Sequence, residues 1–429
     1  MDKPHELPAY IAVDLIRQGK LKPSGLMQAY AEQISQLEPK VGAFTHLDLD
    51  SAMRRAKVLD SEPAVGLLFG IPVGVKDLMD TADMPTSYGS PIYRHHCPAS
   101  DAACLTEVKS QGGVIMGKTV TTEFAIFHPG KTANPHNVAH TPGGSSSGSA
   151  AAVAAHMVPL AFGTQTAASV YRPASFCGVV GYKPSYGLIQ RGGVKTLSES
   201  FDTVGLIANC VMDVALLAAA ASRRPHLLPS SNRVGAAKPT VGLFRTPHWE
   251  MAEQASQAAV LGFADRLSTR GVSVIDIDAP AIFNQLLQAQ TDVMLAEAAI
   301  ALGYEYVHHK ALCSPKLIEV IEQGNAIRFD RLQAANETIR QARAAIRDIF
   351  RGVDVLLSPA AVGEAPEGLH ATGDPVFGRA WTALRTPGLT IPGATGPKGL
   401  PIGVLLSGAQ DNDAQFLLAA HVLEQLGKP

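Results

Sequence analysis

The sequence predicts an α/β protein. Two observations carry this: short apolar β-like runs and helical segments alternate along all 429 residues, and neither a repeat at fixed period nor a long linker divides them. A third agrees with it. Hydrophobic residues make up 46% and charged residues 17%, the balance of a chain with a large buried interior.

The elements follow in order. Residues 7–37 read as helical, with Leu15, Leu26, Tyr30 and Ile34 near helical spacing and Pro23-Ser24 separating two segments. Asp48 to Asp60 is a further amphipathic helix. Leu67 to Val75 is apolar and β-like; Leu105 to Gln111 suits a helix, and Gly113 to Gly117 a buried strand. Residues 141–149 form a small-residue loop, followed by a buried helix over Ala150 to His156 and a strand over Val158 to Gly163. Residues 211–225 and 250–350 read as mostly helical. Val353 to Pro359 and Ile402 to Leu406 return to strand, and 412–425 closes as a helix.

Two short motifs fail on context. Gly112 to Thr119 matches GxxxxGK[ST], but Val114-Ile115-Met116 between the glycines favours a strand where a phosphate loop needs a flexible turn. Gly144 to Gly148 matches GxSxG, but polar, proline-bearing Asn137 to Pro142 precedes it where a nucleophile elbow needs a strand. The fourteen histidines form neither HExxH nor a Cys/His ligand cluster, and no metal site is visible.

A third constellation is more specific. Gly70-Ile-Pro-Val-Gly-Val-Lys76-Asp77 ends an apolar run on a lysine, whose burial is costly without a reason. Gly143-Gly144-Ser145-Ser146-Ser147-Gly148-Ser149 supplies a serine loop. Gly163-Thr164-Gln165-Thr166-Ala167-Ala168-Ser169-Val170-Tyr171-Arg172-Pro173 supplies another serine, 24 residues after Ser145. Together these segments resemble the amidase signature family, from about residue 10 to 425 and most strongly from 70 to 205.

The resemblance implies a mixed, twisted β-sheet sandwiched between α-helical layers. It implies one domain over 1–429, with a core at 60–210 and 350–429 and a helical insertion at 211–349. It implies Ser169 as nucleophile, Ser145 as proton relay and Lys76 as base, because a serine hydroxyl needs an adjacent base and lysine serves only when neutral. Similar enzymes hold the relay serine in a cis peptide, here expected after Gly144. Backbone N–H groups of Thr166, Ala167 and Ala168 would receive the oxyanion, with Ser146 and Gly144 in support. The reaction expected is hydrolysis of a small carboxylic acid amide to acid and ammonia through an acyl-enzyme, without a cofactor or metal.

The chain departs from the family in three places. Gln165 replaces an aspartate, Ala167-Ala168 replaces two glycines, and Arg172 stands one place later than usual. Gln165 and Arg172 also occur in a malonamidase-like subset, which makes Gln165, Tyr171 and Arg172 the expected substrate contacts and a short dicarboxylic acid monoamide the expected substrate. Arg172 would clamp a carboxylate by a two-pronged hydrogen bond.

The bulk numbers set the partners. A formal net charge of −2 provides no basic footprint for nucleic acid. No apolar stretch is long enough for a membrane span. Five cysteines without CxxC spacing fit free thiols, so a cytoplasmic protein is expected. The oligomeric state stays open, with a homodimer as one candidate. Two other readings compete: an esterase using Ser146, and a non-catalytic or channel-fed component of an amidotransferase.

Overall fold

The computed structural model describes residues 3–126, 128–229 and 238–428. Its centre is one eleven-stranded mixed sheet. In chain order the strands are β1 (Phe44–Leu47), β2 (Pro72–Lys76), β3 (Val114–Thr119), β4 (Leu160–Gln165), β5 (Val180–Lys183), β6 (Thr203–Ala208), β7 (Val241–Arg245), β8 (Val274–Asp278), β9 (Val355–Pro359), β10 (Gly388–Thr395) and β11 (Pro401–Gly408). They lie side by side as β1-β3-β2-β4-β6-β5-β10-β11-β9-β7-β8. The β3-β2-β4 and β9-β7-β8 neighbours are parallel; the other pairs are antiparallel.

Every residue of β2, β3, β4, β6 and β9 is buried, which explains why β2, β3, β4 and β9 read as continuous apolar runs rather than alternating ones. Helices Ser147–Ala154 and Tyr171–Cys177 pack together and against the sheet. Helices Val211–Ser222, Gln254–Thr269 and Asp413–Gly427 form a second group on it. The first group needs small residues. A Cβ at Gly148 would collide with the backbone of Ala43 and Val120, so the Ser-Gly-Ser-Ala-Ala-Ala run allows this helix to lie against neighbouring chain.

The false phosphate loop is strand β3, as Val114-Ile115-Met116 predict. The stretch expected as a helical insertion is different. It carries β7 and β8, which extend the same sheet from β9, as well as helices Phe283–Ala301, Pro315–Asn325 and Phe329–Ile349. Val-Ile-Asp-Ile-Asp in β8 alternates as an edge strand should, but it is five residues long inside Ala/Gln-rich helical sequence. All five cysteines are free thiols. Among the described residues no helix is long and apolar enough to cross a membrane.

Buried carboxyls fasten the helix ends. Asp213 accepts the N–H groups of Ala9 and Tyr10 at 2.8 and 2.9 Å, and Glu424 accepts that of Val211 at 3.1 Å. Burial pushes Asp213 up to about 6 and Glu424 up to about 7. Both values lie above those of an unfolded chain, about 4. Between about pH 4 and 7 the folded protein therefore holds protons that the unfolded chain has shed. The stability these groups contribute is complete below that window and is lost as pH rises through the folded-state values. Glu424→Gln keeps an acceptor for Val211 and removes the charge. It is expected to raise Tm by about 1–3 °C at pH 8 and leave it unchanged at pH 4, read by thermal denaturation at both pH values.

Candidate active site

Strand β2 carries Lys76 into the interior, where the side chain is fully buried. Its Nζ lies 2.7 Å from Ser145 Oγ, 2.8 Å from Thr164 Oγ1 and 3.0 Å from Ser146 Oγ. Burial pushes the lysine well below its ordinary pKa of 10.5, against a weaker opposing pull from the Asp202 carboxylate. A neutral amine has two N–H donors and one lone pair. Three hydroxyls around it let it donate to two and accept a proton from the third.

Burial alone does not single out this lysine. Lys118 and Lys183 are equally buried. Lys118 sits 3.4 Å from Asp77 and donates to Thr86 Oγ1 and the Met79 carbonyl; Lys183 donates to the carbonyls of Pro184 and Thr386. Lys76 differs in meeting the serine loop.

That loop runs from Gly143 into the Ser147–Ala154 helix, and its Gly144–Ser145 peptide is cis. Ser146 Oγ accepts from Lys76 and from the Thr164 N–H, and faces the Thr164 carbonyl at 3.3 Å. A Cβ on Gly163 would lie 2.8 Å from this hydroxyl, so glycine in β4 is what lets the serine approach the strand. The Ser146 N–H donates to the Ser169 carbonyl at 3.2 Å, tying the two serine segments together.

Ser169 follows β4 on the turn Thr166-Ala167-Ala168. The turn's carbonyls are all engaged. Thr166 O accepts from Gln290 Nε2, Ala167 O from Thr382 Oγ1, Ala168 O from the Arg172 N–H and Ser169 O from Ser146. The N–H groups of Thr166, Ala167, Ala168 and Ser169 have no hydrogen-bond acceptor among the described residues. Anchored carbonyls with free N–H groups make a ready anion cradle. Neither Ala167 nor Ala168 adopts a left-handed φ, so alanine holds the turn without strain. The added Cβ of Ala168 is accommodated by Gly378, where a side chain would meet Ala168 Cα at 2.7 Å.

Asp202 supports the turn from behind. It accepts from Thr166 Oγ1 at 2.6 Å and from the N–H groups of Leu197 and Ser198 at 2.8 and 3.0 Å, and burial pushes it up to about 6. Nothing local in the sequence marks Asp202, Thr164 or Thr382, which reach the site from the residue before β6, from β4 and from the helix Val376–Ala383.

Three residues expected to contact substrate are placed differently. Gln165 Oε1 accepts the N–H groups of Val170 and Tyr171 at 2.9 and 3.1 Å, and its Nε2 donates to Thr382. It caps the Tyr171–Cys177 helix, a duty an aspartate would share, and does not line the cavity. Tyr171 is fully buried beside Gly388, also away from the cavity. Arg172 does line it. However, its Nη1 donates to Gly373 O at 2.7 Å, and its Nη2 to Gly144 O at 2.7 Å and Thr372 Oγ1 at 3.0 Å. Both hydrogens of Nη2 are therefore engaged, which leaves no two-pronged fork for a ligand. The Nε is buried and without a partner among the described residues.

Ser145, Ser169, Arg172 and the Thr166-Ala167-Ala168 turn open on one cavity. Met294, Ala298 and Val320 form part of its apolar wall, from the region in which the sequence offered no motif. The cavity is narrow: the centre of a water molecule has about 30 Å³ in which to move. Among the described residues no histidine lines it.

The chain matches a family model described as Amidase over residues 25–417. It is 30% identical to a component of the glutamyl-tRNA(Gln) amidotransferase of Nostoc sp., covering 93% of each chain. A crystal structure of an amidase superposes with a TM-score of 0.88 at 25% identity, covering 98% of this chain and 99% of the other. The peptide amidase of Stenotrophomonas maltophilia superposes with a TM-score of 0.82 at 26% identity, covering 98% and 96%.

Proposed function

The chain belongs to the amidase family and is a hydrolase of amide C–N bonds; from that premise we propose that Ser169 is its nucleophile, Ser145 its proton relay and Lys76 its base. One observation carries this reading: a buried, pKa-depressed Lys76 lies 2.7 Å from Ser145 Oγ, and Ser145 and Ser169 face the same cavity. Ser169 Oγ attacks the amide carbonyl while its proton passes through Ser145 to neutral Lys76. The N–H groups of the 166–169 turn receive the developing oxyanion. The proton returns through the relay to the leaving nitrogen, and water then cleaves the acyl-enzyme.

The substrate is a small amide of the short dicarboxylic acid monoamide type. The narrow cavity supports a small acyl group, and the unpartnered Nε of Arg172 supports a negative charge on it. The arginine acts through this one nitrogen while its terminal nitrogens hold Gly144 and the 372–373 segment. The Ser146 esterase reading finds no support in a serine whose oxygen is enclosed by Lys76 and Thr164.

The test is ammonia release by the purified chain from malonamate and from a neutral amide of equal length. Turnover with preference for malonamate is expected. A folded chain inert on both would favour the channel-fed amidotransferase component; the Nostoc relative is named as an amidotransferase subunit. Arg172→Ala is expected to slow both substrates, because it frees the Gly144 carbonyl, and to lower kcat/KM for the acid amide about 10-fold further. Equal losses would leave Arg172 a purely structural residue.

A further inference from the structure

Thr122 lines the same cavity from the segment between β3 and the turn Glu123-Phe124-Ala125. It is 1% exposed, yet its Oγ1 has no hydrogen-bond partner among the described residues. Leaving a buried hydroxyl unpaired costs stability and calls for an explanation. Its backbone is firmly held. The Thr122 N–H donates to the Ser145 carbonyl at 3.3 Å, and its own carbonyl accepts from Ala125 N at 3.1 Å. The following turn adopts left-handed backbone at Phe124 and Ala125, with φ of 46° and 62°, a conformation unfavourable for both residue types.

Thr122 and Arg172 converge on Gly144. A Cβ placed there would lie 3.3 Å from Thr122 Cγ2 and 2.7 Å from Thr372 Cγ2, while Arg172 Nη2 grips the Gly144 carbonyl and Thr372 Oγ1. Both residues line the cavity, and each carries a buried donor, the Thr122 hydroxyl and the Arg172 Nε, that lacks a partner among the described residues. Two free donors match in number the two oxygens of a carboxylate.

We propose that Thr122 is a specificity-determining residue that donates a hydrogen bond from Oγ1 to the remote carboxylate of the substrate, beside Arg172 Nε. The assignment rests on the acid-amide reading above and adds a second, neutral donor to it. An arginine alone would favour any anion. A hydroxyl at a fixed position beside it favours a carboxylate at one distance from the scissile carbonyl.

The experiment compares wild type, Thr122→Val and Thr122→Ser on malonamate and on the neutral amide of equal length. Valine keeps the shape and removes the hydroxyl; serine keeps the hydroxyl. The valine variant is expected to raise KM for malonamate about 10-fold or more, with kcat and neutral-amide turnover within about 3-fold of wild type. The serine variant is expected to recover most of the malonamate affinity. A wild type that prefers malonamate, with a valine variant unchanged or equally weakened on both substrates, overturns the assignment of Thr122 alone. A wild type without that preference overturns the acid-amide reading, and the assignment with it. If the valine variant fails to fold, the serine variant still decides: a malonamate KM within about 3-fold of wild type supports a role for Oγ1, and a KM raised about 10-fold or more contradicts it.

Discussion

Replacing Ser169 by alanine is expected to lower kcat for amide hydrolysis by about three or more orders of magnitude while leaving the fold unchanged. The size of the effect follows from what the substitution removes. The cradle of free N–H groups at 166–168 stays, because its carbonyls are anchored by Gln290, Thr382 and Arg172 rather than by the Ser169 hydroxyl. Substrate therefore still binds, but no acyl-enzyme forms. KM should change little and Tm should stay within a few degrees of wild type. A folded Ser169→Ala protein with near-normal turnover would rule out Ser169 as the nucleophile.

The second large effect belongs to Lys76. Lys76→Met is expected to cost a comparable factor in kcat, since among the described residues no other group hydrogen-bonded to Ser145 Oγ can take its proton. The wild-type pH profile should carry the lysine's signature. The active form is the neutral amine, so activity rises as pH rises through the lysine's depressed pKa and then levels off. Because burial lowers that pKa, the rise should finish well below the 10.5 of an ordinary lysine. A flat profile under conditions where chemistry limits the rate would contradict Lys76 as the titrating base. Methionine, similar in length and uncharged, keeps the pocket filled, so loss of activity with an unchanged Tm separates lost chemistry from lost folding.

What the sequence revealed and what it hid have physical causes. Lys76 was visible because an ammonium at the end of an apolar run is expensive, and the structure buries it completely. Lys118 and Lys183 are equally buried, but Lys118 pairs with Asp77 and Lys183 donates to backbone carbonyls. Charge burial is legible in a sequence; the partner that gives it meaning is not. Small residues before and within the Ser147–Ala154 helix were legible for a related reason, since close approach of chains leaves few choices of side chain.

The strands β1, β5, β7, β8 and β10 were missed because they are short or interrupted, and β6 was missed although its six residues are all buried. β5 has four residues, and β10 contains Pro392 and Gly393 where its register shifts against β11. Gln165 and Tyr171 are expected as substrate contacts from the malonamidase-like resemblance. Helix capping and core packing turn both away from the cavity. Thr122, Asp202 and Thr382 could not be found from spacing at all, because their roles depend on which strands and helices the sheet brings together. The narrow apolar wall at Met294, Ala298 and Val320 belongs to helices whose sequence carries no catalytic pattern.

The most direct measurement is to trap the acyl-enzyme step with an amide-mimicking acylating inhibitor and map the adduct by peptide mass spectrometry. The adduct is predicted on Ser169, with formation slowed in Lys76→Met and absent from Ser169→Ala. An adduct on Ser145 or Ser146, or undiminished labelling of a folded Ser169→Ala protein, would contradict the Ser169–Ser145–Lys76 assignment.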